Sequence, residues 1–215
     1  MYVHSARKLN ISAAADCLHR GGVLIFPTET FFALGCLACC AQAVGRVYQL
    51  KGRAVQQPLP LLAADMDQVN AVMRPEAAPP GLLSRFWPGP LSVLLPVRLC
   101  LPKLLLNTEG KAAVRVTSHP LAAELALRAG GLLTASSANM SGRAPVCERG
   151  GLDPELLDAL GALGDMGGIL EGGPAPTGGA PSSLVEPLDG VSRIRLLRAG
   201  AVSAEALAAA GFVCE

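Results

Sequence analysis

Short apolar runs alternate with amphipathic helical patterns along this chain, and this alternation restricts the fold more than any other feature. Val23–Phe26 and Leu91–Pro96 have the length of buried strands, whereas Ala41–Leu50 and Pro120–Ala129 carry apolar residues at helical spacing. Such an order predicts an α/β fold in which helices cover a sheet. Some strands follow one another too closely for a crossover helix, so we expect a twisted, open and mixed sheet.

Composition points to one aliphatic core. The chain has 215 residues, of which 51% are hydrophobic and only 4% are aromatic. This supply of apolar residues suffices for a single domain over residues 1–215. The formal net charge is +1, which gives no overall field for a polyanion. The sequence shows neither an apolar run long enough for a bilayer nor a signal peptide, which predicts a cytoplasmic protein without membrane partners.

The seven cysteines are irregularly spaced and form a poor disulfide framework, which agrees with a reducing compartment. Cys36, Cys39 and Cys40 form the cluster that would suggest zinc. However, the sequence has no second pair of cysteine or histidine residues at ligand spacing, and His119 stands alone. We therefore expect buried free thiols and no structural metal.

Four polar segments follow predicted strands or helices, and the carboxyl ends of strands are where ligands bind in open α/β sheets. They are Thr28–Thr30, the turn Lys51–Arg53, the loop Ser136–Gly142, and Ser182–Ser183 with the later Arg198–Gly200. Each one alone is more simply explained as a solvated turn or a helix end. Together they supply hydroxyls and cations, but no serine or cysteine has a suitable histidine partner. The combination favours a site that binds phosphates and a small carboxylate and catalyses by positioning and charge neutralisation.

In their order along the chain, these segments resemble the motifs of the YrdC-like family over about residues 8–203. Gly21–Gly22 and Pro27–Gly35 are similar to its opening glycine pair and its Pro-Thr-Asp/Glu-Thr signature. The other similar segments are Lys51–Arg53 with Pro58–Leu59, Trp87–Leu91, Val114–His119, Ser137–Gly142, Ser182–Glu186 and Leu197–Gly200. An ordered set of this size, spread over most of the chain, is highly specific.

The resemblance implies a single-domain YrdC-like fold, in which helices flank a sheet with a concave ligand-binding face. It also implies that the additional carboxy-terminal domain of longer members is missing. The implied function is that of an L-threonylcarbamoyladenylate synthase, a nucleotidyltransferase that makes threonylcarbamoyl-AMP and pyrophosphate from L-threonine, bicarbonate and ATP. Mg²⁺ would arrive with ATP. The product would pass to a tRNA-modifying transferase complex for threonylcarbamoyladenosine formation.

The resemblance also assigns roles by motif position. The residues expected to bind threonine are Thr30, Arg115, Ser137 and Ser182, with Arg115 on the carboxylate. The residues expected to bind ATP are Lys51, Arg53, Asn139 and Arg198. Lys51 and Arg53 are also the expected catalytic residues, and we expect both side chains on the surface of the cleft, where truncation costs little stability. The segment Gly172–Pro181 is expected to be a flap that closes over the adenylate.

Some positions depart from the family motifs, namely Phe32, Ala33, Ala54, Thr117, Ser183 and Glu186. Phe32 stands in place of a common tyrosine, and Thr117 in place of a proline. These departures leave open a paralogue with the same pocket and another substrate. A second alternative is a double-stranded RNA- or ribosome-associated protein that binds tRNA or other RNA on its concave face, which the near-neutral charge disfavours. A third is a carbamoyl-adenylate enzyme with another acceptor, an activity that normally needs additional modules.

Overall fold

The computed structural model describes residues 6–52 and 57–215, and within these ranges the chain forms seven α-helices and twelve β-strands. The helices are α1 (Ile11–His19), α2 (Ala41–Lys51), α3 (Met66–Val72), α4 (Leu82–Phe86), α5 (Pro120–Ala129), α6 (Pro154–Gly161) and α7 (Ala204–Ala209). The strands are β1 (Lys8–Leu9), β2 (Val23–Pro27), β3 (Phe32–Gly35), β4 (Leu61–Ala63), β5 (Leu91–Pro96), β6 (Lys111–Val116), β7 (Leu133–Thr134), β8 (Ser136–Ser137), β9 (Gly167–Leu170), β10 (Ser183–Pro187), β11 (Arg193–Arg198) and β12 (Val213–Cys214).

The strands form two sheets, and each sheet contains parallel and antiparallel pairs. The smaller sheet has the order β1-β9-β2-β3-β8, with β2 parallel to β9 and antiparallel to β3. The larger sheet has the order β12-β11-β10-β5-β6-β4-β7, with β10 parallel to β5 and β5 antiparallel to β6. The predicted α/β class with mixed sheets and flanking helices is confirmed. The strands are divided between two sheets, however, where the sequence suggested one.

Strand β2 lies at the centre of the core, and all five of its residues are buried. Val23 and Ile25 pack in one hydrophobic cluster, which also includes residues of α2 and β5. Leu24 and Phe26 pack in a second cluster, formed with α1 and α5. A strand that is covered on both faces carries a continuous apolar run instead of an alternating one. This explains why β2 is recognisable in the sequence as a buried strand.

The predicted elements lie close to their predicted positions. The helix over Pro120–Ala129 and the strand over Leu91–Pro96 have these bounds in the structure. The first helix begins at Ile11, because the side chain of Asn10 accepts a hydrogen bond from the Ala13 amide at 3.0 Å and provides the N-cap. The sequence does not predict the strands β1, β3, β8, β9 and β12, of which β1, β8 and β12 have only two residues each and are too short for a periodic signal.

The two sheets approach each other closely beside the polar segments. Gly35, at the end of β3, lies against the Thr134 carbonyl of β7, and a Cβ at this glycine would be only 1.7 Å from that oxygen. Only glycine allows this approach of backbone to backbone. From Thr134 the chain crosses at Ala135 from the larger sheet to β8 of the smaller one. The loops that follow β2, β6 and β8 therefore meet at the junction of the sheets.

Candidate active site

A cavity of about 140 Å³ opens at this junction. The polar side chains that line it are Thr28, Thr30, Arg115, Ser136, Ser137, Ser182 and Arg198. The structure thus brings together the four residues predicted to bind threonine, and adds Arg198 from the predicted ATP-binding group. The cavity is smaller than the roughly 300 Å³ at which pockets for drug-sized ligands begin. Its size suits an amino acid, and a nucleotide would have to extend beyond it.

Arg115 forms a buried ion pair with Glu29, which follows β2. The Arg115 Nε donates to Glu29 Oε1 at 2.6 Å, and only 4% and 10% of the two side chains are exposed. The other oxygen, Oε2, accepts a hydrogen bond from Thr117 Oγ1 at 2.5 Å. Burial raises the pKa of Glu29, but the charge of Arg115 and hydrogen bonds outweigh burial and leave the pKa below its usual value. Glu29 is therefore ionised at neutral pH. Its lowered pKa makes the carboxylate a weak proton acceptor and poorly suited to act as a general base.

Arg198 is oriented by Ser182. Its Nε and Nη2 donate to the Ser182 carbonyl at 3.0 and 2.8 Å, and Nη2 also donates to the Ser182 hydroxyl at 2.9 Å. The hydroxyl of Ser92, which is 1% exposed, lies 3.2 Å from the same Ser182 oxygen. Because an arginine only donates, the Ser182 oxygen is the acceptor toward Arg198. The Ser182 proton is therefore directed to Ser92 or into the cavity.

A close backbone crossing fixes Arg198 relative to the start of β10. A Cβ at Gly200 would lie 2.2 Å from the Pro181 carbonyl and 2.7 Å from the Ser183 amide, so this position requires glycine. The Ser183 hydroxyl donates to the Val202 carbonyl at 2.5 Å and accepts from the Val202 amide at 3.0 Å. Two segments that each contribute to the cavity are thereby joined next to it.

Lys51 does not line the cavity, and the expectation that its side chain lies on the cleft surface is wrong. It is the last residue of α2 and is 2% exposed. Its ammonium donates to the carbonyls of Ser137 and Asn139, the latter at 2.6 Å. The physical reason is that a distant loop covers the helix end and supplies acceptors for the charge. Arg53, the other expected catalytic residue, lies outside the described residues.

Asn139 is also buried and faces a neighbouring pocket that Arg143 and Asp153 help to line. Its Nδ2 donates to the carbonyls of Met140 and Arg143 at 2.9 and 2.7 Å. Its Oδ1 has no hydrogen-bond partner within residues 6–52 and 57–215. A buried acceptor without a partner is uncommon in native proteins, and a donor on a bound ligand would satisfy it.

The segment predicted to be a flap connects β9 to β10 and lies against the loop that follows β2. Three of its hydrogen bonds join it to neighbouring segments. Thr177 Oγ1 donates to the Glu29 carbonyl (2.7 Å), the Gly178 amide donates to the Thr30 carbonyl (2.8 Å), and His119 Nε2 lies 3.0 Å from the Pro174 carbonyl. At its end, the Pro181 carbonyl accepts from the Ala201 amide at 2.8 Å. The segment thus contacts the backbone of the cavity wall. That it opens and closes remains a prediction.

The positions that depart from the family motifs have definite surroundings. Phe32 is 3% exposed and lines the cavity beside Ala33. Glu186 is buried and pairs with Lys111 at 2.8 Å and with Arg195 at 3.2 Å. Thr117 and Ser183 make the hydrogen bonds described above. Ala54 lies outside the described residues.

Sequence reasoning missed some of the residues that shape the cavity. Glu29 belongs to a polar segment that the sequence marks, and a carboxylate directly after a buried strand was the signal for it. Thr117 appeared only as a departure from a motif. Ser92 lies inside an apolar strand and gave no signal, because a single hydroxyl there is compatible with the core.

The cysteines that suggested zinc differ in their exposure. In the part of the chain that the structure describes, no group of three or more His, Cys, Asp or Glu side chains could hold a metal ion. Cys36 is buried, and burial raises the pKa of its thiol to about 12, whereas Cys39 is exposed.

Within residues 6–52 and 57–215, no helix has the length and apolar character needed to cross a membrane.

Comparisons with known proteins place these features in a family. The Sua5/YciO/YrdC family model, described as "Telomere recombination", matches residues 16–200. The chain is 34% identical over 170 residues to the threonylcarbamoyl-AMP synthase of Stenotrophomonas maltophilia, covering 77% of this chain and 91% of that relative. It is 38% identical over 167 residues to the threonylcarbamoyl-AMP synthase of Halorhodospira halophila, covering 76% and 87%.

Solved structures agree with the sequence comparisons. The crystal structure of P. abyssi Sua5 complexed with L-threonine superposes with a TM-score of 0.81 at 26% identity, covering 97% of this chain and 62% of that one. E. coli YciO has the same fold, with a TM-score of 0.70 at 19% identity over 91% of this chain and 95% of that one. Because the family model spans most of the sequence and relatives at 34% and 38% identity match about three quarters of it, the chain belongs to the Sua5/YciO/YrdC family.

Proposed function

We propose that this chain is an enzyme that makes threonylcarbamoyl-AMP and pyrophosphate from L-threonine, bicarbonate and ATP, an L-threonylcarbamoyladenylate synthase of the nucleotidyltransferase class. The relatives that carry this name are matched over most of their length. The observation that carries the proposal is the small cavity in which hydroxyls and two guanidinium groups converge. An amino acid with a hydroxyl and a carboxylate requires these partners.

In this proposal the cavity binds threonine. The terminal nitrogens of Arg115 bind the carboxylate, and the hydroxyls of Thr30, Ser137 and Ser182 bind the remaining polar groups. Phe32 and Ala33 line the same cavity and offer apolar surface to the methyl group. The hydroxyls and the apolar wall together provide the means to distinguish threonine from serine and valine.

ATP extends beyond this cavity, toward the Ser137–Asn139 loop that Lys51 holds in place. We assign Arg53, Asn139 and Arg198 to the nucleotide and the carbamate, and Lys51 to the support of the loop. Mg²⁺ accompanies the ATP phosphates as part of the substrate.

The reaction then needs positioning more than it needs proton transfer by the protein. The threonine amine and bicarbonate form a carbamate with loss of water. A carbamate oxygen attacks the α-phosphorus of ATP, the bond to the bridging oxygen breaks, and pyrophosphate leaves with the electron pair. Cations beside the phosphates stabilise the negative charge that develops there.

We place the product in the threonylcarbamoyladenosine modification of tRNA, carried out with a partner transferase complex in the cytoplasm. The alternative of an RNA-binding protein has less support. Several exposed arginines are paired with carboxylates, as Arg143 is with Asp153 and Arg193 with Glu215. Paired cations contribute less to phosphate binding than unpaired ones.

The test is incubation with ATP, labelled bicarbonate and L-threonine, L-serine or L-valine in turn, with pyrophosphate release and the mass of the adenylate as readouts. Serine should be used about ten- to two-hundred-fold less efficiently than threonine, because one methyl group contributes roughly 1–3 kcal/mol to discrimination. Arg198→Ala should lower the rate about a hundredfold or more. The control Arg98→Ala, which removes an exposed arginine outside the cavity, should retain full activity. Equal turnover with all three amino acids would refute threonine as the substrate.

A further inference from the structure

The guanidinium of Arg115 is held along one edge only. Its Nε donates to Glu29 Oε1, whereas its two terminal nitrogens have no protein partner within the described ranges, 6–52 and 57–215. Among these residues, Asn139 Oδ1 is the single fully buried side-chain atom that lacks a hydrogen-bond partner. The terminal nitrogens of Arg115 also lack a protein partner, so they are not fully buried and are open to the cavity that Arg115 lines. Two parallel N–H groups in this arrangement match the geometry of a carboxylate.

The carboxylate of Glu29 is shared between two side-chain donors, beside a contact with its own backbone amide. Oε1 accepts from Arg115, and Oε2 accepts from the hydroxyl of Thr117 at 2.5 Å. The Thr117 oxygen also accepts a hydrogen bond from the His119 amide at 3.1 Å, and the threonine is 2% exposed. With this acceptance fixed by the backbone, the single hydroxyl proton of Thr117 is directed to Glu29.

The backbone places Thr117 in the right position for this contact. Arg115 lies on β6, and Thr117 directly follows the strand, where its amide donates to the Ala63 carbonyl at 3.0 Å and continues the pairing with β4. Residues two apart on an extended chain point to the same side. Arg115 and Thr117 therefore approach the same carboxylate from neighbouring positions.

A carboxylate beside an arginine tends to bind through both oxygens, taking two nitrogens of the guanidinium at once. For Glu29 that arrangement would occupy Nε and one terminal nitrogen of Arg115. We propose that Thr117 is a positioning residue for the substrate carboxylate: by holding Oε2, it restricts Glu29 to Nε and keeps both terminal nitrogens of Arg115 available. A proline, which the family motif has at this position, could not donate this hydrogen bond.

The inference rests on the proposed function in one respect, namely that the ligand is an amino acid with a free carboxylate. Thr117→Val removes the hydroxyl and keeps the β-branched shape, and Thr117→Ser keeps the hydroxyl. Binding of L-threonine and of L-threoninol, which lacks the carboxylate, is measured by calorimetry for wild type and both variants. Steady-state kinetics give KM and kcat, and thermal unfolding establishes that each variant is folded.

Thr117→Val should weaken L-threonine binding roughly tenfold, the effect of one hydrogen bond to a charged group. Its affinity for threoninol should match that of wild type, since no carboxylate is present to be positioned. KM for threonine should rise while kcat and KM for ATP stay near the wild-type values, and Thr117→Ser should restore binding. A role in folding alone would affect both ligands equally.

Unchanged threonine binding in Thr117→Val, an equal loss for threonine and threoninol, or failure of Thr117→Ser to restore binding would each overturn the inference. Failure of the proposed function gives a different result. If wild type binds another α-amino acid in place of threonine, the proposed substrate is wrong, and the comparison with that ligand's alcohol still decides the role of Thr117. If no amino acid binds, both proposals fall.

Discussion

Replacement of Lys51 by methionine should destabilise the fold, against the expectation drawn from sequence that truncation here costs little. The Lys51 ammonium is buried and donates to the carbonyls of Ser137 and Asn139. The Ser141 amide in turn donates to the Lys51 carbonyl at 3.1 Å. Methionine retains the aliphatic stem and removes the donors, so that the loop carbonyls lose a charged partner.

The magnitude follows from these two acceptors. Each hydrogen bond to a charged group contributes about 1.5–3 kcal/mol. The Ser137 carbonyl still accepts from the Asn139 amide at 2.9 Å in the variant, whereas the Asn139 carbonyl loses the Lys51 donor. Removing a buried ammonium also relieves part of its desolvation penalty, so we expect a net loss of about 2–3 kcal/mol. For a chain of this size each kcal/mol shifts the unfolding midpoint by about 2–4 °C, which gives a decrease of roughly 4–12 °C.

The assay is thermal and urea unfolding followed by circular dichroism, with Lys103→Met as the matched control. Lys103 is exposed on a short 3-10 helix, and its replacement should leave the midpoint unchanged. Natural domains have about 5–15 kcal/mol of stability, so Lys51→Met remains folded at room temperature and its activity can be measured there. If Lys51→Met and Lys103→Met unfold at the same midpoint, the argument from the buried carbonyls is refuted.

Three further predictions concern the flap, the ion pair and the thiols. Hydrogen exchange across Gly172–Pro181 should slow when ATP and threonine are both present, and unchanged exchange would show that the segment is only a connection. The pKa of Glu29 is lowered from 4.5, so its stabilising contribution is present above that pH and is lost as the pH falls through the lower folded-state pKa. Glu29→Gln should therefore lower stability at neutral pH and flatten its decline in acid, and an unchanged acid profile would contradict this. Iodoacetamide should modify exposed Cys39 and Cys100 in the native protein and spare Cys36, whose pKa of about 12 keeps it protonated; early modification of Cys36 would contradict its burial.

The sequence predicts the wall of the cavity better than the contacts behind it. Thr30, Ser137 and Ser182 each lie beside the end of a strand, and these ends meet because the sheets are mixed and closely packed. Hydroxyls at strand ends are visible in a sequence as polar interruptions after apolar runs. The order of the motifs and the fold class were enough to predict that these hydroxyls lie close together.

Lys51 shows where this reasoning fails. A lysine at the end of a helix is ordinarily solvated, because its charge interacts favourably with the helix dipole and with water. Here the acceptors come from residues 86 and 88 positions further along the chain. A contact over such a separation depends on the path of the whole chain between its partners, and no local pattern near Lys51 indicates it.

The ion pair between Arg115 and Glu29 also explains why the site belongs to neither sheet alone. Glu29 follows β2 of the smaller sheet, whereas Arg115 lies on β6 of the larger one. The same division holds for the hydroxyls, since Ser137 lies on β8 of the smaller sheet and Ser182 directly precedes β10 of the larger sheet. A ligand in the cavity would therefore contact both sheets, which approach each other closely at Gly35. With 17 acidic residues in the chain, the sequence offers many carboxylates for Arg115, and the packing of one sheet against the other selects Glu29.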